Sequence, residues 1–231
     1  MKIEGFQKLT LLDFPGKTAA VIFTGGCNFR CPFCHNALLV LPGELPAPFA
    51  EEEIFAYLRK RRGVLDGVVV SGGEPLLQSD IGTFLGKVKD LGLLVKLDTN
   101  GTNPALLGTL IADGLVDYVA MDIKNAPDAY VKTVGVPGVD LAAVTASRDL
   151  LMGGLVDFEF RTTLVRGLHT EESVREMAKF IAGDEKYYLQ QFKDSGNLIA
   201  PKGLSAFDEG EMQKFAAICR TFVPATEIRG L

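Results

Sequence analysis

The sequence predicts an α/β fold with a parallel, curving sheet, because short apolar runs alternate with amphipathic helical stretches along most of its 231 residues. Several runs, such as residues 68–70, are apolar at every position, which is typical of strands buried on both faces of a parallel sheet. Six strand–helix pairs with right-handed crossovers imply a sheet that curves. We expect strands at residues 19–24, 67–71, 94–98, 118–123, 158–164 and 187–192.

The stretches between these strands repeat apolar residues at helical spacing. Pro104 near the start of one stretch, and Gly92 and Gly114 near the ends of others, match the usual helix boundaries. Residues 40–49 contain three prolines and are expected to form a loop, and residues 1–17 a short lead-in with a turn at Pro15 and Gly16. The predicted helices are 51–61, 80–91, 104–113, 141–152, 171–182 and 208–222.

The length fits one domain over residues 1–231, with the lead-in at 1–17, the core at 18–192 and a C-terminal helix and tail at 193–231. A net charge of −5 gives no support to a nucleic-acid partner. The start lacks an apolar leader, and no run reaches about 18 apolar residues, so we expect neither a signal peptide nor a membrane partner. Clustered cysteines then favour metal binding over disulfides, and the reducing cytoplasm as the location.

Three of the four cysteines, Cys27, Cys31 and Cys34, fall within eight positions, directly after the first predicted strand. Thiolates at this spacing can face one centre, and three soft ligands suit an iron–sulfur cluster or zinc. A cubane cluster usually takes four cysteines, so three would leave one iron free to bind another molecule. The motif therefore predicts a reaction centre as well as a metal site.

A structural zinc site is the alternative for this motif, with His35 as the fourth ligand. Adjacent ligands at Cys34 and His35 are awkward for one tetrahedral ion, because zinc modules usually use two separated ligand pairs. Cys219 is a distant candidate, but it lies in an apolar helical stretch where a small buried side chain is expected. We therefore favour a cluster, and we expect such an exposed cluster to need low oxygen.

Polar groups follow the other predicted strands in the same way. The run at 71–75 (Ser-Gly-Gly-Glu-Pro) follows the second strand, the run at 98–101 (Asp-Thr-Asn-Gly) ends the third, the run at 122–124 (Asp-Ile-Lys) ends the fourth, and Arg161 lies in the fifth. Active sites of α/β folds assemble at the carboxyl ends of the strands. These groups and the cysteines are therefore expected to share one rim.

The cysteine motif, Cys-x₃-Cys-x-Phe-Cys, resembles the signature of the radical S-adenosylmethionine (SAM) enzymes, and residues 72–75 resemble their second motif. The resemblance extends from residue 18 to about residue 192. It implies a partial (β/α)₆ barrel of the TIM type and a [4Fe–4S] cluster bound by the three cysteines. The open iron of that cluster would hold the amino and carboxylate groups of SAM.

Within this resemblance, Gly72 and Gly73 let the backbone approach SAM closely, since no Cβ intervenes. Glu74 would accept a hydrogen bond from the SAM ammonium. Phe33 would shield the cluster or touch the adenine. A plain turn at the two glycines and core packing of Phe33 are the alternatives.

Residues 34–36, 98–101 and 122–124 narrow the resemblance to the activating enzymes of glycyl-radical enzymes. That group implies a monovalent cation near SAM, held by Asp98, Thr99 and Asp122, with the Ala120 carbonyl as a weaker ligand. It also implies that Lys124 meets the SAM carboxylate. A simple turn at 98–101 and a surface ion pair at 122–124 are the alternatives.

Arg161 lies in an apolar strand and needs an anionic partner, which is the SAM carboxylate, a rim aspartate or, structurally, Glu159. After the sixth strand, activases of the pyruvate formate-lyase type carry a histidine near SAM. This chain has Gln191 and Lys193 there, which we expect to contact the adenosine. His35 would touch the adenine or support the loop, and His169 is expected to be solvated.

Residues 5–17 and 26–36 look most like activating proteins of anaerobic ribonucleoside-triphosphate reductase. The implied reaction is abstraction of a glycine Cα hydrogen in a partner protein by the 5′-deoxyadenosyl radical, with a flavodoxin- or ferredoxin-like electron donor. Two rivals stay open: a radical SAM enzyme acting on a small molecule, as 7-carboxy-7-deazaguanine synthases do, and a non-enzymatic zinc-binding interaction module.

Overall fold

Strands from the whole length of the chain join one sheet in the computed structural model, which describes residues 1–41, 47–184 and 186–231. Within these residues the strand order follows the sequence, and β1 and β8 are the two edges. β1 pairs antiparallel with β2, and every later pair is parallel. The strands are β1 Ile3–Thr10, β2 Ala19–Thr24, β3 Gly67–Gly72, β4 Leu94–Thr99, β5 Tyr118–Asp122, β6 Asp157–Leu164, β7 Tyr187–Gln191 and β8 Glu227–Arg229.

Helices connect the parallel strands and cover the outer face of the sheet. Two of them begin with capping boxes, at Thr170 and at Asp208. In each box the side chain of the first residue accepts from the backbone N–H three residues later, and the side chain of that later residue accepts from the backbone N–H of the first. The helices are α1 Ala37–Val40, α2 Glu51–Lys60, α3 Ile81–Asp90, α4 Pro104–Ala112, α5 Pro127–Val134, α6 Leu141–Met152, α7 Glu171–Phe180 and α8 Glu209–Arg220.

This architecture confirms the predicted fold class, a partial barrel with a parallel curved sheet. The six predicted strands and six predicted helices are present, with ends that shift by one or two residues. The sequence reasoning missed β1 and β8, because edge strands are short or half-exposed and lack the continuous apolar pattern of buried strands. It also missed the short helices α1 and α5. Residues 42–46 of the predicted loop lie outside the described residues.

The interior face of the sheet is apolar at one end and charged towards the other. Phe14, Ala19, Val21, Val69 and Tyr118 form a small apolar cluster at the amino ends of the strands. A separate, larger apolar cluster lies between the sheet and its helices. The core therefore closes the bottom of the barrel and leaves the carboxyl ends of the strands for polar groups.

Glu159 is a fully buried carboxylate on the interior face of β6. Arg229 of β8 donates to both of its oxygens, at 2.9 and 3.1 Å, and the Tyr118 hydroxyl donates to Oε2 at 3.0 Å. Glu159 is thus satisfied by the last strand of the sheet, and Arg161 on the same face of β6 pairs elsewhere.

Among the described residues, the structure contains no helix long and apolar enough to cross a membrane.

Candidate active site

The three cysteines of the motif line a single cavity of about 260 Å³ at the carboxyl ends of the strands. Cys31 is buried, Cys27 and Cys34 are half-buried, and all three thiols are free. The same cavity is lined by Gly72, Gly73 and other predicted site residues: Phe33, Glu74, Asp98, Thr99, Asp122, Lys124 and Arg161. The structure therefore brings the predicted rim together.

The cysteine loop is fixed by backbone contacts on both sides. Arg30 donates through Nη1 to the Cys27 carbonyl at 2.6 Å, and its own N–H donates to the Val134 carbonyl at 2.8 Å. A Cβ on Gly135, at φ +69°, would lie 2.4 Å from the Arg30 carbonyl oxygen. Helix α5, which sequence reasoning missed, therefore supports the loop that carries the thiols.

Burial raises the pKa of all three thiols, to about 12 for Cys31, although the Lys124 ammonium opposes this. Such thiols become thiolates when a metal replaces their protons. In the described part of the chain, no group of three or more His, Cys, Asp or Glu side chains is arranged to hold one metal ion. The three thiols are therefore not placed around a single metal ion. They can share one centre if that centre is larger than one ion, as a cluster is, or if the loop rearranges.

Gly72 and Gly73 allow the loop after β3 to touch the cysteine loop. A Cβ on Gly73 would lie 1.8 Å from the Gly26 carbonyl oxygen, and Gly72 adopts φ +114° with its Cβ position 2.4 Å from the Thr24 nitrogen. The next residue, Glu74, donates its N–H to the Gly26 carbonyl at 2.8 Å. The two glycines are thus required by loop packing, whatever else approaches them.

Glu74 is a buried carboxylate that ties the loops after β3 and β4 together. Oε1 accepts from the Leu76 N–H at 3.0 Å and the Thr99 hydroxyl at 2.8 Å, and Oε2 accepts from the Asn100 N–H at 2.7 Å. Burial raises the pKa of Glu74 to about 7, while these bonds favour the ionised form. Both oxygens are engaged within the protein, and a contact of Glu74 with the SAM ammonium stays a prediction.

Asn100 is a site residue to which sequence reasoning gave no role. Its amide donates from Nδ2 to Oδ1 of Asn28 at 2.8 Å, and Nδ2 lies 4.0 Å from the Cys27 sulfur. The Asp-Thr-Asn-Gly run is therefore more than a simple turn, because it connects Glu74 to the cysteine loop. The signal in the sequence was the place of Asn100 in that run, at the end of a predicted strand.

A row of alternating charges crosses the rim from β4 to β6. Arg161 donates from Nη1 to Asp98 at 3.3 Å and from Nε to Asp122 at 3.0 Å, and Lys124 donates to Asp122 at 2.9 Å. Lys96, fully buried on β4, completes the row by contacting Asp98. Arg161 thus takes the rim aspartates as partners and not Glu159.

The charges in this row stabilise one another. Burial raises the pKa of Asp122, but Arg161 and Lys124 outweigh it and hold the pKa at about 2. Arg161 and Lys96 likewise hold the pKa of Asp98 below its usual range against burial. Both carboxylates are therefore ionised at neutral pH.

His169 is buried, which corrects the expectation that it is solvated. Its Nδ1 accepts from the Val165 N–H at 3.0 Å, so Nε2 carries the proton and donates to the Lys124 carbonyl at 2.9 Å. Burial lowers the pKa of His169, which keeps the ring neutral. His169 therefore fixes the backbone of Lys124 from below the rim.

On the far side of the cavity, neither of the two residues expected to contact the adenosine, Gln191 and Lys193, lines the cavity. Gln190 lines the cavity, whereas Gln191 donates from its amide to the Phe207 carbonyl at 2.9 Å. Successive residues of a strand point to opposite faces, and the interior face of β7 takes Gln190. Lys193 is exposed after the strand and does not line the cavity. His35 lines it with its ring 5.9 Å from that of Phe192.

A family model described as the radical SAM superfamily matches residues 21–181 of the chain. The chain belongs to the radical SAM superfamily. A Methanocaldococcus jannaschii protein that carries the name of a glycyl-radical enzyme activating enzyme is 34% identical over 232 residues, covering 98% of this chain and 95% of that protein. A 7-carboxy-7-deazaguanine synthase of Hyperthermus butylicus is 37% identical over 93 residues, or 40% of this chain and 38% of that enzyme.

Solved radical SAM structures share the fold. The crystal structure of Streptococcus suis SuiB bound to precursor peptide SuiA matches 91% of this chain and 48% of that chain, with a TM-score of 0.69 and 14% identity. At that identity the likeness concerns the fold alone.

Membership of the superfamily identifies the cofactors as a [4Fe–4S] cluster and SAM. The residues present fit both groups. Three soft sulfur ligands line one cavity, and the charge row beside them has three cationic side chains against two carboxylates. One positive charge is left over within the row, which suits the carboxylate of SAM, and Glu74 adds a carboxylate elsewhere in the cavity.

Proposed function

We propose that this chain activates a glycyl-radical enzyme, by abstracting a hydrogen atom from a glycine of that partner protein. The observation that carries the proposal is one cavity that joins the three thiols to Asp98, Asp122 and Lys124. The similarity to the Methanocaldococcus jannaschii protein over nearly the whole of both chains supports it. When bound, the reduced cluster and SAM supply the hydrogen-abstracting radical that this reaction requires.

The residues of the chain bind and orient SAM in this proposal. Cys27, Cys31 and Cys34 would hold the cluster, with three ligands where a cubane usually takes four. Lys124 is partly exposed to the cavity and spends one donor on Asp122, so its remaining N–H groups can meet the SAM carboxylate. Arg161 holds both aspartates in place and adds positive charge beneath that carboxylate.

The glycine must reach the cavity on a loop of the partner, and in the described residues the sheet does not close, since β1 and β8 are its two edges. We propose the anaerobic ribonucleoside-triphosphate reductase as this partner, because residues 5–17 and 26–36 resemble its activating proteins. A flavodoxin- or ferredoxin-like protein would supply the electron, and the reducing cytoplasm would keep the thiols available.

We further propose a single domain over residues 1–231, since β1 and β8 extend one sheet into both predicted terminal segments.

The test is anaerobic SAM cleavage with the reconstituted, reduced protein and a candidate glycyl-radical partner, followed by electron paramagnetic resonance. We expect 5′-deoxyadenosine together with a glycyl-radical doublet on the partner. Replacing the target glycine of the partner by alanine is the matched control, and it should abolish the doublet. SAM cleavage without any protein radical would refute the activase function.

A radical SAM enzyme acting on a small molecule is the second candidate, favoured by the partial match to 7-carboxy-7-deazaguanine synthase. In that case a small-molecule precursor of a deazapurine, and not a protein, would stimulate SAM cleavage. Membership of the radical SAM superfamily sets aside the other alternative from the sequence, a zinc-binding interaction module.

A further inference from the structure

Lys96 is a lysine on the interior face of β4 that the sequence motifs did not include. Only 1% of its surface is exposed, and its ammonium donates to Oδ1 of Asp98. An ammonium buried to this extent is retained only with a carboxylate partner. Lys96 is therefore a fixed positive charge inside the rim.

Each of the four oxygens of Asp98 and Asp122 accepts a hydrogen bond from a cation of the chain itself. Lys96 donates to Oδ1 of Asp98, and Arg161 donates to Oδ2 of Asp98 and Oδ1 of Asp122. Lys124 donates to Oδ2 of Asp122. The two carboxylates are thus balanced without a further ion.

The third side chain of the expected cation site is also engaged. The Thr99 hydroxyl donates to Oε1 of Glu74 at 2.8 Å and accepts from the Gly101 N–H at 3.1 Å. The set of oxygen ligands implied by the resemblance is therefore committed to bonds within the protein.

The charge balance points the same way. Three cations against two carboxylates leave one positive charge within this row. Glu74, another carboxylate of the cavity, lies outside the row and takes its bonds from two backbone N–H groups and the Thr99 hydroxyl. A sodium or potassium ion would add a second positive charge and displace a donor from a carboxylate. The SAM carboxylate would instead neutralise the charge that is already there.

We propose that the ammonium of Lys96 takes the place of the monovalent cation, so that this protein binds SAM without sodium or potassium. The inference rests on the proposed function, since it requires SAM to bind above Asp98 and Asp122. It replaces the expectation, drawn from the resemblance, that Asp98, Thr99 and Asp122 hold an ion.

The first test is SAM binding to the reconstituted, oxidised holoenzyme, in which SAM is not cleaved. Equilibrium dialysis with labelled SAM is compared in sodium, potassium and choline chloride at equal ionic strength. We expect dissociation constants that agree within about twofold, because no small cation is needed; a tenfold difference corresponds to a full cation-binding contribution of about 1.4 kcal/mol. Binding that weakens more than about twofold in choline would overturn the role of Lys96.

The second test substitutes Lys96→Met, which keeps the length of the side chain and removes its charge. We expect SAM affinity in choline to fall about tenfold or more, and sodium or potassium to restore most of it. Lys89→Met is the matched control, because Lys89 pairs with Asp117 at 2.7 Å and does not line the cavity. It should change affinity less than about twofold in every salt.

Several results would overturn the inference. Unchanged affinity of Lys96→Met in choline would do so, and so would a loss that neither ion restores. If that variant does not fold, the wild-type salt series and Lys96→Arg, expected to bind SAM equally in all three salts, decide the question. Absence of SAM binding by the wild type in every salt would refute the proposed function itself, whereas ion-dependent binding refutes only the role of Lys96.

Discussion

Asp122→Asn removes the carboxylate that receives both Arg161 and Lys124. The pKa of Asp122 falls from 3.8 to about 2 in the folded protein. At about 1.36 kcal/mol per pKa unit, this shift corresponds to roughly 2–3 kcal/mol of the free energy of unfolding at neutral pH. Asparagine keeps the shape but leaves Arg161 with Asp98 alone and removes the carboxylate partner of Lys124, so we expect a loss of that order.

The pH dependence follows from the direction of the shift. Because the folded pKa lies below the unfolded one, the contribution of Asp122 is fully present above about pH 4 and is lost as the pH falls towards 2. Urea unfolding of the reduced, metal-free protein should therefore show a full difference between wild type and Asp122→Asn at pH 5 that shrinks as the pH falls below about 4.

The control for this experiment is Glu176→Gln, which breaks an exposed pair with Lys179 and should cost less than about 1 kcal/mol. A loss for Asp122→Asn no larger than that of the control would refute the account of the charge row. So would a loss that stays the same as the pH falls from 5 towards 2.

Three further predictions concern the supports of the site. His169→Gln should remove the part of stability that the wild type loses below about pH 6.5, because the lowered pKa keeps His169 neutral when folded; an unchanged pH profile in urea unfolding would contradict this. Gly73→Ala should cost about 3 kcal/mol or more in unfolding free energy, since its Cβ meets a carbonyl oxygen at 1.8 Å, whereas Gly86→Ala, in open space on α3, should be neutral or stabilising. Equal effects would contradict the close approach. Cys31→Ala should abolish cluster assembly in iron and sulfide analysis, and Cys219→Ala, buried on α8, should retain it; equal loss in both would contradict the assignment.

The sequence predicted the parallel strands because burial on both faces leaves a continuous apolar pattern. It did not predict β8, which has only three residues with a single apolar one, Ile228, and depends on a partner far away in the chain, Glu159. No local pattern carries such a pairing. β1 was missed for a related reason, because only one of its edges is paired in the sheet.

Strand alternation explains which site residues could be predicted. Lys96 and Asp98 are two apart on β4, so they share a face, and this pairing could have been read from the sequence. The same rule places Gln190 and Gln191 on opposite faces of β7, but the sequence alone does not show which of these faces is the interior one. The burial of His169 depends on contacts with Lys124 and Val165 that fold geometry alone creates.

The central claim is that the three thiols and the charge row form one SAM-binding site. Electron paramagnetic resonance of the reconstituted, reduced protein, recorded before and immediately after SAM is added, tests this claim most directly. We predict a reduced [4Fe–4S] spectrum whose g values change on addition of SAM. The double variant that carries both Asp122→Asn and Lys124→Met should show no such change. A wild-type spectrum that SAM leaves unchanged would contradict the account.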